Sequence, residues 1–412
     1  MLNPDLAFRK LAALVEPLEE TEDVALADAV GRVAAVDVPA PVDLPPFDSS
    51  AMDGFAVNAE GLDFDGEKRF EVIDRSLAGR PANQEIKDSS SAIRVFTGAV
   101  MPRGSNAVVL QEDVDLDGDV ARTEARVQTE QNVRHRGQDV RRGSLVCKSG
   151  TPLTAYRLSW LAACGIEKVR VKRRARVAVF STGDELVEAG TPLAEGQIYD
   201  SNRFALLALL REKPVDTLDM GCLPDKPAEV RKALERAAAN ADILVTSGGV
   251  SVGTADYVKS VVEEIGTLDF WKIALKPGKP LAVGRIGDAL FFGLPGNPVS
   301  TIVTYLLFVA PAIDLLGGQD LAPPIMVPAV LDGGIKHSRG RREYVRGVMR
   351  TEDRVVRVAA TGDQGSNRLA TFADANCLIV VGEDCGDLCE GDHVQAMVLS
   401  GVAGHPIREG VA

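Results

Sequence analysis

Histidine is scarce in this chain: there are four among 412 residues, at 135, 337, 393 and 405. None falls between residues 174 and 325, where the glycine-rich loops lie, so catalysis by a serine nucleophile with a histidine base is not expected. Cysteine is also sparse. The six cysteines, at 147, 164, 222, 377, 385 and 389, form no CxxC pair. Cys385 and Cys389 have only His393 nearby, so reduced structural thiols in a cytoplasmic protein are expected there rather than a zinc site. An excess of positive charge is missing: 46 Lys and Arg stand against 59 Asp and Glu, a formal net charge of −13. That balance repels phosphate backbones and argues against nucleic acid. A long apolar run is missing too. The longest charge-free one follows Pro298 and is interrupted by Pro311 and then Asp314, which predicts a buried helix and no membrane span. The N-terminal MLNPDLAFRKLAALVEPLEE carries acidic residues and no small-residue cleavage site, so it does not read as a signal peptide.

What remains is the balance of a globular chain, 45% hydrophobic and 25% charged. Its length predicts three or four domains. Leu6, Leu11, Leu14, Val15 and Leu18 are spaced as on an amphipathic helix. Prolines 39, 41, 45 and 46 then enforce an extended linker. Strand-like segments FAVNAEG, RFEVIDRSLAG, SAIRVFTG and NAVVLQEDV predict a small β domain over 43–142, inserted into an elongated N-terminal α+β domain made of 1–42 and 143–173. From 174 to 325 apolar strands alternate with helices, predicting a central doubly wound, mostly parallel α/β domain. Alternating segments from 326 to 412 predict a C-terminal β-barrel-like domain.

In a doubly wound sheet, ligands bind beyond the carboxyl ends of the strands. Three predicted strands end in small-residue loops: Ser181-Thr182-Gly183, Thr246-Ser247-Gly248-Gly249 and Leu294-Pro295-Gly296-Asn297. Glycines let a ligand approach the backbone, and amides and hydroxyls suit an oxyanion. Asn297 followed by Pro298 has the form of an N-cap and a first-turn proline. None of the loops is a Walker loop or GxGxxG, and each alone is equally the geometry of an ordinary strand-to-helix turn. The segment Trp271 to Pro280 is more specific. Read as one strand, it places Lys272 and Lys276 on a common face before a Pro-Gly turn and Lys279, where ammonium groups would neutralise oxyanions. The competing reading is a sheet edge protected by lysine. Asp184, Glu185, Asp225 and Asp256 follow the loops, as a divalent cation beside a phosphate site would require, although helix-dipole pairing explains any one of them. Asp53, in PPFDSSAMDGFAV, is either a ligand or a turn former.

The ordered set PPFDSSAMDGFAV, TGAVMPRGSNAVVLQED, RGQDVRRG, STGDEL, GQIYDSN, TSGGVSVGTADY, KPGKP, GLPGNPVS and GRREYVRG resembles the motifs of the molybdopterin molybdenumtransferases, a family that includes the E domain of gephyrin. The match runs from about residue 5 to 398. The resemblance implies a four-domain elongated homodimer whose active site lies at the subunit interface, between the inserted β domain of one subunit and the α/β and C-terminal domains of the other. It implies adenylylated molybdopterin and molybdate as substrates, release of AMP, and help from Mg²⁺. It places functional positions at Asp53, Thr97, Asp139, Glu185, Asp225, Asp256, Lys272, Lys276, Pro295, Pro298, Arg341 and Ser366. Asp53, Asp139, Glu185, Asp256, Lys272 and Lys276 are the catalytic candidates. Glu185, Asp225 and Asp256 are the metal candidates. Thr97, Ser181, Thr182, Gly183, Ser247, Gly248, Gly249, Lys279, Pro295, Asn297, Pro298, Arg341 and Ser366 are the substrate-binding candidates. Asn106 stands where the family commonly has an acidic residue, in a loop expected to be structural. Two other readings use the same residues: a molybdopterin adenylyltransferase, which the additional domains disfavour, and a non-catalytic gephyrin-like scaffold, which has no need of buried lysines. An adenylyltransferase is also the expected upstream partner.

Overall fold

The computed structural model describes residues 1–249 and 257–399. Asp256, expected in both the catalytic and the metal set, lies outside the described residues. The chain forms two compact units, one of residues 23–30 and 34–171, the other of 1–22, 31–33 and 172–412.

The chain opens with helix α1 (Pro4–Leu14), started by Pro4 and by an Asn3 side chain that accepts from the Asp5 amide. Ala7 and Leu11 are buried on its inner face, while Leu6, expected on that face, is exposed. Residues 1–22 therefore pack with the α/β unit, whereas the sequence reading grouped them with 143–173.

The unit of 23–30 and 34–171 is built on a six-stranded sheet of β1 (Gly54–Val57), β2 (Lys68–Ser76), β3 (Ser91–Val95), β4 (Ala107–Leu110), β5 (Asp115–Asp117) and β6 (Val120–Thr123), in the order β4-β1-β3-β2-β6-β5. Phe55, Val57, Phe70 and Val109 fill one core, and Ile93, Val95 and Val108 another. Helix α2 (Ala155–Ala163) is capped by Thr154 and packs with Val146, Leu153 and Val171.

In the other unit a second six-stranded sheet comprises β7 (Ala175–Thr182), β8 (Val215–Leu223), β9 (Ile243–Ser247), β10 (Thr267–Lys272), β12 (Pro280–Ile286) and β13 (Ala289–Leu294), ordered β8-β7-β9-β13-β12-β10. The first four are parallel, and β12 and β10 are antiparallel. Side chains alternate along β7: Val177 and Val179 enter one core, Ala178 and Phe180 the opposite one, so both faces are covered. The helices are α3 (Ser201–Leu210), α4 (Pro227–Ala238), α5 (Tyr257–Ile265), α6 (Pro298–Thr304) and α7 (Ala310–Leu316), the last two joined by a π-helical turn over 305–309. The resulting helix, Pro298–Leu316, is long and apolar enough to cross a membrane by length and composition. It is mostly buried, however, and packs Val299, Val303, Phe308 and Ile313 into the core.

Two features differ from the expectation. Edge strand β8 has no apolar alternation to announce it, because its exposed position tolerates Asp216 and Asp219. The segment 271–276 is not one strand. After Lys272 the chain leaves the central sheet, Ile273 bridges Leu2, and β11 (Leu275–Lys276) joins the C-terminal sheet beside β15 (Arg342–Glu352). Leu2 drives the break by donating to Lys272 O at 2.7 Å and accepting from the Ala274 amide at 2.7 Å. With β14 (Met326–Asp332), β16 (Val355–Ala360), β17 (Cys377–Val381) and β18 (His393–Val398), strand β15 closes a five-stranded barrel through its pairing with β17. The C-terminal β-barrel is as expected.

Candidate active site

The three glycine loops follow three neighbouring parallel strands, β7, β9 and β13, and they meet. The Gly248 amide donates to Leu294 O at 3.1 Å, and a Cβ placed on Gly296 would lie 3.8 Å from Gly248 Cα. At Gly249, with φ +67°, a Cβ would lie 2.6 Å from both Thr182 Oγ1 and Val258 Cγ2, so only glycine fits. Thr182 Oγ1 and Thr246 Oγ1 are buried without a partner among the described residues, leaving hydroxyls available beneath this edge. Ser181 and Ser247, expected to bind substrate, are both buried. Ser181 Oγ donates to Asp200 Oδ1 at 3.0 Å and lies 3.4 Å from Ser247 Oγ. The sequence pattern could not separate hydroxyls bonded within the fold from those without a partner among the described residues.

Asp200 caps α3 and is bound by Arg203, which also pairs with Asp219 and Glu188. This network, unforeseen from the sequence, fixes the Ser181 turn from beneath.

The carboxylates gather beyond β7. Gly183 adopts φ +146°, and a Cβ there would lie 2.6 Å from Glu185 Oε2, so the Glu185 carboxylate folds over the glycine. The Asp225 amide donates to Asp184 Oδ1 at 3.3 Å. Burial pushes the Asp225 carboxyl up, a hydrogen bond from the Asp184 backbone opposes this, and the charges of Asp184 and Glu185 add to the rise. Mutually repelling carboxylates of this kind suit a hard divalent cation. Among the described residues no three His, Cys, Asp or Glu side chains form a metal-sized group, and the third expected ligand, Asp256, is not among them.

The cationic candidates do not share one strand face. Lys272 ends β10, and Lys276 lies on β11, opposite Glu343 in the register. They are nevertheless close along the chain, and the turn that follows is pressed on α6: a Cβ on Gly278 would lie 2.7 Å from Thr304 Cγ2 and 3.8 Å from Ser300 O. The first turn of α6 also meets the loop of Ser366, whose carbonyl accepts from the Val299 amide at 3.2 Å. Arg341 directly precedes β15, and the neighbouring Arg342 amide donates to Ala274 O at 2.9 Å. The loop Pro295-Gly296-Asn297-Pro298 and the helix it starts thus meet the glycine loop beyond β9 on one side and, on the other, the 276–279 turn and the loop of Ser366. Asn297 occupies the N-cap as expected, but its side chain makes no capping bond. Pro295 O accepts from Thr301 Oγ1 at 2.6 Å, which secures the turn.

Charge compensation separates the cations. Lys276 Nζ lies 2.8 Å from Glu343 Oε1. Lys272 and Lys279 are exposed and Arg341 is half-buried, and none of their side chains forms an ion pair among the described residues. The burial of Glu343, His337 and Arg346 was missed from the sequence. Arg346, 1% exposed, donates to the carbonyls of Asp363, Gln364 and Gly365 and so shapes the loop that ends in Ser366. A charged residue in an apolar strand, YVRGVM, was the available signal.

In the unit of 23–30 and 34–171, Asp53 and Thr97 come together. Asp53 Oδ1 accepts from the Thr97 amide at 2.7 Å and from its hydroxyl at 2.8 Å, and these bonds hold the carboxyl below its usual range. Asp139 is exposed at a bend, its amide bonded to Leu44 O, with no described bond to that pair. Asn106 Oδ1 accepts from the Ala59 amide at 2.7 Å, a task the amide carbonyl performs as well as a carboxylate. All six cysteines are free, and none belongs to a metal-sized group among the described residues.

Three family models cover most of the chain: the MoeA N-terminal region (domain I and II) over 2–165, a probable molybdopterin binding domain over 178–315, and the MoeA C-terminal region (domain IV) over 328–399. A molybdopterin molybdenumtransferase of Haemophilus influenzae is 42% identical over 397 residues, covering 96% of this chain and 98% of its own. One from Bacillus subtilis is 32% identical over 388 residues, covering 92% of this chain and 90% of its own. The crystal structure of the molybdopterin biosynthesis moeA protein of Pyrococcus horikoshii OT3 matches with a TM-score of 0.83 at 30% identity, over 97% of this chain and 100% of that one. On the strength of these matches along nearly its whole length, the chain belongs to the MoeA family of molybdopterin molybdenumtransferases.

Proposed function

We propose that this protein inserts molybdate into the dithiolene of adenylylated molybdopterin, releasing AMP and forming molybdenum cofactor. The observation that carries this reading is the Pro295–Pro298 turn, where backbone loops suited to a phosphate-bearing pterin adjoin the Lys276–Lys279 turn, whose Lys279 has no ion-pair partner among the described residues, in a chain of net charge −13. An acidic protein keeps unpaired cations together when an anion is to be held there. The loops at Thr182-Gly183, Gly248-Gly249 and Gly296-Asn297 bind the pterin and its phosphates, and Lys272, Lys279, Arg341 and Ser366 hold molybdate near Lys276. Two Mo–O bonds are exchanged for two Mo–S bonds, and the displaced oxygens leave as water. One water is consumed in cleaving the P–O–P bond. The protein contributes position and charge, with the entropy of assembly already lost on binding.

Glu185 and Asp225, with Asp256 as a third, are the residues that would hold Mg²⁺. The cation would offset charge on the phosphoanhydride. The raised Asp225 carboxyl fits this role, since a cation relieves the repulsion of Asp184 and Glu185.

The working form is a homodimer in which Asp53, Thr97 and Asp139 of a second copy complete the site. Exposed apolar side chains on each unit support partner contacts: Tyr156 is 89% exposed and Trp160, one turn along α2, 36%, while in the other unit Phe204 on α3 is 71% exposed. Molybdopterin adenylyltransferase is the upstream partner, and free thiols suit a cytoplasmic location.

The test is cofactor reconstitution with purified protein, adenylylated molybdopterin, Mg²⁺ and molybdate or tungstate, read by activation of an apo-enzyme. Insertion with AMP release is expected. ATP-dependent adenylylation of molybdopterin would select the adenylyltransferase reading, and failure to bind either substrate would select a scaffold. Sedimentation at twice the monomer mass is expected, and a monomer active at high dilution would remove the shared site.

A further inference from the structure

Glu343 is an unusual neighbour for a substrate-binding lysine. Its side chain is 5% exposed, and each carboxylate oxygen has one partner: Lys276 Nζ at 2.8 Å from Oε1 and His337 Nδ1 at 2.8 Å from Oε2. A carboxylate so enclosed persists only when paired and hydrogen-bonded on both oxygens. The lysine is not enclosed with it, since its side chain remains 41% exposed. The pair is therefore anchored at its acidic end and open at its basic end.

The anchoring is redundant. The backbones of Lys276 and Glu343 are register partners in the β11–β15 ladder, so the two side chains leave adjacent positions. His337 is 1% exposed in its side chain, and its amide donates to Asp387 Oδ1 at 2.9 Å, fixing the residue from outside the pair. Its Nε2 is buried without a partner among the described residues. With the proton on Nδ1 the ring donates to Glu343 and leaves only a lone pair at Nε2. The opposite tautomer would bury an unsatisfied N–H and place two acceptors face to face.

We infer that Glu343, locked by His337, is a positioning residue for Lys276: it holds one N–H of the ammonium so that the other two face the anion, and it balances that charge. Attraction of the oxyanion then falls to Lys272, Lys279 and Arg341, and Lys276 supplies direction. The inference rests on the proposed reading that Lys276 belongs to the insertion site. Two N–H donors of fixed bearing select where a tetrahedral oxyanion sits, whereas a free lysine on a four-carbon stem would follow any anion.

The experiment combines a mutant cycle with lysine labelling on the full chain. Glu343→Ala is expected to lower kcat roughly 10-fold, the size of one charge-assisted hydrogen bond, with a smaller change in the KM for molybdate. In a Lys276→Ala background the same substitution is expected to cost little further. Competitive acetylation with acetic anhydride, read by mass spectrometry, is expected to rise several-fold at Lys276 in Glu343→Gln, with Lys272 and Lys279 unchanged. An equal loss of kcat in both backgrounds, or unchanged Lys276 labelling in Glu343→Gln, overturns the inference. Should Glu343→Ala fail to fold, or Lys276→Ala leave too little activity for a cycle, the Glu343→Gln labelling ratio decides. Full activity in Lys276→Ala would instead sink the site assignment, and the labelling would still judge the tether.

Discussion

The glycine loops beyond β7 and β9 and the lysine turn between β10 and β12 flank the proline-bounded loop beyond β13, yet they are built on opposite terms. The loops present backbone and hydroxyls, and their shape is fixed most tightly at Gly249, where an added carbon would lie 2.6 Å from Thr182 and Val258. The lysine turn presents charge, and much of that charge has no partner among the described residues. Shape recognition tolerates no added atom, whereas charge recognition tolerates rearrangement and yields to salt. The two proposed substrates, a flat pterin and a small oxyanion, call for both.

The sharpest way to break this contrast is to add one carbon at Gly249. Gly249→Ala must relieve contacts of 2.6 Å with Thr182 and Val258 at φ +67°, a cost of about 2–4 kcal/mol. Chemical denaturation should show that loss, and pterin binding should fall with it. Gly248→Ala, whose nearest contact is 3.4 Å, is expected to cost about half as much. Equal effects would mean that packing does not set the loop.

On the charged side, Lys279→Ala and Arg341→Ala are each expected to raise the KM for molybdate about 10-fold without lowering the melting temperature, since neither has a described ion-pair partner to strand. The wild-type KM should rise with ionic strength and the variants' should rise less. A salt-independent KM would remove charge from the account.

Asp225 sharpens the comparison through pH. Its carboxyl is raised in the folded protein, so the stability it contributes is complete below its ordinary value of 3.8 and is lost as pH climbs through the raised value. Asp225→Asn stays neutral, so metal-free protein carrying it should melt higher than wild type near neutral pH and gain less from added Mg²⁺. Melting curves with and without Mg²⁺ at several pH values check both. A lower melting temperature for the variant would count against the carboxylate cluster as a cation seat.

The smallest effect is expected beneath the loops. Ser181→Ala removes one buried hydrogen bond to Asp200, about 1 kcal/mol of stability, and should leave kcat and KM close to wild type. A large kinetic loss would return Ser181 to the substrate-binding set.

Apolar alternation and loop composition sufficed to locate the β7, β9 and β13 loops, the barrel segments and the helix after Pro298, because burial on one or both faces of an element is written directly in residue order. The family motifs added Thr97, and its bonds to Asp53 are visible in the fold, although neither residue signals the other along 44 positions of chain. The same logic failed where a strand is exposed, as at β8, and where a distant residue intervenes, as Leu2 does between Lys272 and Leu275. It failed also to tell Ser181 from Thr182, since adjacent residues on a strand point to opposite sides and only the stacked layers decide which hydroxyl finds a partner.

Sequence alone determined the kinds of chemistry this chain can offer: an acidic molecule with few histidines, three glycine loops at strand ends, and lysines flanking a Pro-Gly turn. Those are properties of residue type and of short-range order. Tertiary structure alone decided which charges are spent inside the protein and which remain for a ligand. Glu343 lies 67 residues beyond Lys276, yet the β11–β15 ladder sets them side by side at 2.8 Å. Electrostatic energy depends on distance and burial, and neither is fixed until the strands have found their neighbours.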